Sequence, residues 1–174
     1  SPEDRRYLLY SPMVKMKVTM QGEEVVNLLW EVIAAKGFEK APYFEMAARD
    51  IRALPKLEGT AQVNMVLIIK FIQKFLFEPK DYEPIPKMDG HQSDDFLFNQ
   101  GSTSKGQKSV RFHDYNAALD SAPLANVKVF RGQIEVFKRL IREAGPDEAQ
   151  EQDLDFMLIL GELFTLIPYS QLVI

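Results

Sequence analysis

Apolar residues recur along this chain at helical rather than strand spacing, and breaker residues divide them into segments. Ser1-Pro2-Glu3-Asp4 has the form of a helix start: a hydroxyl cap, proline at the first helical position, and acids near the positive end of the dipole. The pattern predicts a long helix over residues 13–35, with Val18, Val25, Val26, Leu28, Leu29, Val32 and Ile33 as its apolar stripe. Gly37 follows, where a left-handed cap forms easily. A shorter helix is expected over residues 43–52, broken at Leu54-Pro55. Glu58-Gly59-Thr60 then opens a helix running to Phe77. Val63, Met65, Val66, Leu67, Ile68, Ile69, Phe71, Ile72, Phe75 and Leu76 make that helix apolar on nearly every side, which predicts a central core helix.

The texture changes over residues 78–116. Pro79, Pro84, Pro86, Gly90, Gly101 and Gly106 punctuate a polar stretch, the composition of a long irregular connection. Phe96, Phe98, Val110, Phe112 and Tyr115 are candidates to tack it onto the helices, with a short extended piece expected over residues 109–112. Ala122-Pro123 begins a further helix to Glu143, ended by Gly145-Pro146, and a last helix is expected from Asp147 to the final residue. The fold class read from this order is all-α, an antiparallel helical bundle with one long loop. It divides into helices over residues 1–77, the irregular loop over 78–116, and a helical extension over 117–174 that packs on the same bundle.

Composition narrows the function classes. A length of 174 residues with 46% apolar and 26% charged residues suits one compact domain. Net charge is −4, so no basic footprint for nucleic acid is present. The absence of cysteine removes disulfides and thiolate chemistry, and His91 and His113 alone do not make a metal site. Polar residues or proline interrupt both apolar stretches, at Lys70, Gln73 and Lys74 in one and Asp155, Glu162 and Pro168 in the other, so no membrane span is expected. Ser1 to Tyr10 is too charged for a secretory signal, which makes the cytoplasm, or an organelle matrix, the expected compartment.

The most specific pattern is Arg49-Asp50-Ile51-Arg52-Ala53-Leu54-Pro55-Lys56-Leu57-Glu58-Gly59-Thr60. A carboxylate on the turn before a helix, followed by Gly and Thr, can present its side chain at a cleft. The following N–H groups and the Thr60 hydroxyl can hold an anionic ligand at the helix N-terminus. Ordinary capping by Thr60, with Glu58 favoured by the helix dipole, explains the same residues without any ligand.

This segment resembles the C-terminal domain of acyl-CoA dehydrogenases, in which an Arg-Asp pair is followed at the same spacing by Glu-Gly-Thr. Gly37-Phe38 and the helix before it fall where that family has its Gly-Gly-x-Gly-Tyr segment, and the resemblance covers residues 13–77. It implies FAD-dependent α,β-desaturation of an acyl-CoA thioester. Glu58 would remove the α-proton while the β-hydrogen leaves as hydride to the flavin, and desolvation would raise the carboxylate's pKa toward its task. The same resemblance implies that Gly59 meets substrate, and that Thr60, Ala61 and Gln62 lie near the FAD of their own subunit. It implies that Glu31, Val32, Ile33, Ala34 and Ala35 approach the FAD of a neighbouring subunit in a homo-oligomer, with an electron-transfer acceptor as further partner. The family's N-terminal helical domain, middle β-domain and first helix of the C-terminal domain have no counterpart here. Together with an end inside the apolar Leu172-Val173-Ile174, this gives the expectation of a fragment, inactive alone.

Two departures favour a second reading, a non-catalytic helical interaction or oligomerisation domain on the same scaffold. The family's glycine pair is Ala34-Ala35 here, adding methyls to a backbone that approaches the dinucleotide closely. Glutamine is often found where this chain has Glu31, whose negative charge sits poorly beside a pyrophosphate. Other motifs point to structure. Arg49-Asp50 reads as an ion pair or cap, and His113-Asp114 as a loop anchor with no serine nucleophile motif nearby. Asp94-Asp95 lacks calcium-loop spacing, Gly101 to Gly106 lacks a P-loop ending, and Met13, Met16 and Met20 read as packing.

Overall fold

The computed structural model describes residues 5–40, 43–81, 98 and 110–174. The Ser1–Asp4 helix start and most of the long loop, with His91, Asp94-Asp95, Phe96, the Gly101–Gly106 motif and Ser109, lie outside the described residues.

Among the described residues the chain is mostly helical, with an isolated β-bridge between Pro79 and Phe112. Helix α1 spans Tyr7–Ile33 and continues straight through Pro12, six residues earlier than the apolar stripe suggested. Its first half supplies Leu9, Met13 and Met16 to the core. The second half carries the predicted stripe but exposes it: Val18, Val25, Leu28 and Leu29 are open, and Val32 is 82% exposed. The helix outruns the elements packed on it, so a stripe that reads as core has a neighbour only where α2 lies.

That neighbour, α2 (Tyr43–Ala53), returns along α1. Phe44 meets Trp30, Arg52 bonds Asn27 and Lys56 approaches Glu23, so contacts ascend one helix as they descend the other. The connection departs from expectation. Gly37 does not form a left-handed cap; the positive φ falls on Ala34, at φ 51° and ψ −134°, and a 3₁₀ turn Ala34–Phe38 follows. Gly37 is needed instead for close approach, since a Cβ there would lie 2.6 Å from the Trp30 indole nitrogen.

A 3₁₀ turn at Leu54–Lys56 leads to α3 (Ala61–Ile69) and, after a break at Lys70-Phe71, to α4 (Ile72–Phe77). The predicted single helix is thus two. Only Asn64, Met65 and Ile68 of α3 are buried, while Val63, Val66 and Leu67 are exposed. The all-round core helix is half covered.

Beyond the loop come α5 (Tyr115–Ser121), α6 (Ala125–Glu143), α7 (Glu148–Gln152) and α8 (Leu154–Val173). The expected last helix breaks at Asp153, whose carboxylate accepts the N–H groups of Asp155 and Phe156 and so starts α8. By length and composition α8 is apolar enough to cross a membrane. Here Leu160, Phe164, Thr165 and Ile167 are buried against the bundle, and Asp155 and Glu162 lie on its open side. The core joins α1, α3, α4, α5, α6 and α8 around Phe75, which contacts Phe112, Tyr115 and Phe164.

Candidate functional site

Glu58 lies in the short link between the Leu54–Lys56 turn and α3. Buried Pro55 anchors the incoming chain. The next residues reverse direction through two left-handed conformations, Glu58 at φ 52° and Gly59 at φ 96°. Glycine takes this freely, whereas for glutamate it costs about 1–2 kcal/mol. Three polar groups hold the turn. The Lys15 ammonium on α1 donates to the Gly59 carbonyl at 2.6 Å. The buried Asn64 amide donates to the carbonyls of Gly59 and Thr60, each at 3.1 Å. Thr60 caps α3, its hydroxyl accepting the Val63 N–H at 3.4 Å.

The Glu58 side chain is exposed, and it borders a groove of about 380 Å³ between α1 and α3. Tyr7, Ser11, Lys15, Asn64, Leu67 and Lys70 share that groove, so a carboxylate faces two ammonium groups over a partly apolar wall. The desolvation expected for Glu58 is not supplied by these helices alone.

The other site residues divide between two places. Thr60 is exposed beside Glu58 at the start of α3, while Ala61 and Gln62 line a smaller groove of about 170 Å³ with Met16, Met20 and Glu162. Glu31 lies far along α1. The 16 residues from Lys15 to Glu31 rise about 24 Å in a helix, so one chain does not bring Glu31, Val32, Ile33, Ala34 and Ala35 to Glu58. Around Glu31 is an open groove of about 620 Å³ bordered by Glu23, Glu24 and Glu162, with Lys17 as its cation. Ile33 is half-buried, and Ala34 and Ala35 are exposed.

Motifs set aside on sequence grounds have structural partners. Arg49 pairs with Glu45 and Asp50 on the surface. Asp114 caps α5 by accepting the Asn116 N–H, and the His113 carbonyl accepts from Gln171. Lys15 and Asn64 were not singled out by the sequence, and Lys70 entered only as an interruption of an apolar stretch. Asn64 carried a usable signal, being a polar residue inside an otherwise apolar helix; Lys15 and Lys70 looked like ordinary surface charges.

Residues 4–73 match the family model of the acyl-CoA dehydrogenase C-terminal domain. This segment of the chain belongs to that family. The match takes in α1, α2, the Glu58 turn and α3. No curated protein and no solved structure shows significant similarity to the chain.

Members of this family generally bind FAD, and the chain's two candidate contact regions differ in their fit. The first N–H groups of α3, which no carbonyl of that helix reaches, and the Thr60 hydroxyl suit the polar atoms of a flavin. The Glu31 end does not suit a pyrophosphate, because four carboxylates outnumber the one ammonium along that groove.

Proposed function

We propose that this chain supplies the base-bearing C-terminal part of a flavin-dependent acyl-CoA dehydrogenase. The observation that carries the reading is Glu58 on a pinned turn at the edge of a groove, within the matched segment. The Glu58 carboxylate takes the α-proton of the acyl thioester as the α,β double bond forms. Thr60 and the first N–H groups of α3 would hold the flavin, which when bound would supply the acceptor for the β-hydrogen and its electron pair. Leu67 and Tyr7 offer apolar wall to an acyl group, and Lys70 offers positive charge beside it.

The exposure of Glu58 and of the apolar side chains of α1 and α3 supports a site completed by segments outside these helices, so that this chain is inactive alone. The separation of the Glu31–Ala35 stretch from Glu58 supports a homo-oligomer in which that stretch serves a second subunit's site. The cytoplasm is the proposed compartment.

The test is Glu58→Gln in the flavoprotein that carries this segment. The variant retains FAD, and reduction of its flavin by acyl-CoA slows about 10²–10⁴-fold. Undiminished reduction places the base elsewhere. The acidic groove at Glu31 favours a second reading, a helical interaction domain that keeps the scaffold without the flavin; isolation of the full-length protein free of FAD would select it.

A further inference from the structure

We propose that Lys15 is the positioning residue that aims Glu58 into its groove, with Asn64 as the buried second anchor; this rests on the reading of Glu58 as the base. The inference starts from what does not hold the turn. Leu57, Glu58 and Thr60 are exposed and Gly59 is only half-buried, so side-chain packing does not fix residues 57–60. Yet Glu58 is held at a positive φ that its Cβ opposes. The strain persists only where surrounding structure over-determines it, and here the over-determination is polar.

The Gly59 carbonyl receives both donors, Lys15 Nζ at 2.6 Å and Asn64 Nδ2 at 3.1 Å. The lysine bond is charge-assisted and the shorter of the two. Asn64 ties the turn to its own helix, whereas Lys15 ties it to α1, the opposite wall of the groove. Lys15 therefore sets the turn relative to the surface on which a substrate would lie. Without it, Glu58 can relax toward negative φ and carry the carboxylate away from that wall, while Asn64 still holds the carbonyls of Gly59 and Thr60 and α3 keeps its Thr60 cap.

Three variants separate this role from a structural one. Lys15→Met keeps the apolar stem and loses the donor, Lys15→Gln has an amide too short to reach, and Lys15→Arg restores a cationic donor. In the 174-residue chain, the ¹³Cα and ¹³Cβ shifts of Glu58 report its left-handed backbone. They are expected to move toward ordinary values in Lys15→Met and Lys15→Gln, with α3 shifts unchanged, and to return in Lys15→Arg. In the flavoprotein, Lys15→Met is expected to slow flavin reduction by acyl-CoA about 10–100-fold, with a larger isotope effect from α-deuterated substrate and substantial recovery in Lys15→Arg. Unchanged Glu58 shifts in both neutral variants would overturn the role of Lys15. That measurement needs no flavin, so it is independent of the Glu58→Gln test, in which undiminished reduction overturns the base reading instead.

Discussion

Ala34 is the second non-glycine residue among those described with a positive φ, at φ 51° and ψ −134°, a region that suits glycine. The resemblance places one of the family's glycines there, and this chain has instead a residue whose Cβ resists the conformation. The turn survives because its surroundings are tight. The Ala34 N–H donates to the Trp30 carbonyl, and the Trp30 ring packs on Phe38 and Phe44 with Arg52 against it. Ala34→Gly should relieve roughly 1–2 kcal/mol of strain and lose about 0.4–1 kcal/mol to the freer unfolded chain. A net gain is expected, read as a higher urea midpoint at unchanged slope. A lower midpoint would mean that the methyl contributes packing of its own.

Helix pairing turns on a different glycine. Gly161 of α8 lies against α3 so closely that a Cβ would come within 2.5–2.8 Å of Met65 and Ile69. The close approach lets Leu160, Phe164 and Ile167 share a core with Met65 and Ile68. Gly161→Val is expected to destabilise by about 1–3 kcal/mol through overpacking, seen as a lower thermal midpoint with helicity retained before unfolding. A neutral result would show that α8 can ride outward on α3 without loss. The same elements explain a mismatch with the sequence pattern. An apolar position records that burial is favourable, whereas the cover for Val63, Val66 and Leu67 has to come from another element.

At the scale of the molecule, the late helices are joined to the early ones through the aromatic group on Phe75, and an ionisable pair sits at its edge. Tyr115 stacks on Phe75 with its hydroxyl buried and without a well-formed hydrogen bond. Burial raises its pKa above the ordinary 10.0, although the Lys138 ammonium opposes the shift. Burial works against the charge of Lys138, but Glu135 and Tyr115 outweigh it and leave its pKa raised above 10.5. Both groups bind protons more tightly in the folded state. Their contribution is therefore fully present below the unfolded pKa values and is lost as pH rises through the folded ones. Stability should hold through neutral pH and fall above about pH 10, measured by urea unfolding at several alkaline pH values. Tyr115→Phe keeps the stacking, removes the tyrosine share of that fall, and should be nearly neutral at pH 7 because the hydroxyl has no well-formed hydrogen bond to lose. An identical alkaline profile in the variant would assign the loss to other groups.

The helical class, the segment boundaries at Leu54-Pro55 and Gly145-Pro146, the Thr60 cap and the Glu-Gly-Thr motif were all legible from residue order. Each depends on local spacing or on backbone chemistry within a few positions. Which apolar residues become core, where α3 and α4 part, that the positive φ falls on Ala34 rather than Gly37, and that Lys15 reaches Gly59 were decided by the tertiary structure. These outcomes depend on partners far away in the chain, up to 44 residues in the case of Lys15 and Gly59. Spacing within a segment says which face is apolar and which residue caps a helix; only the docking of one helix on another says which face is covered and where a long side chain ends.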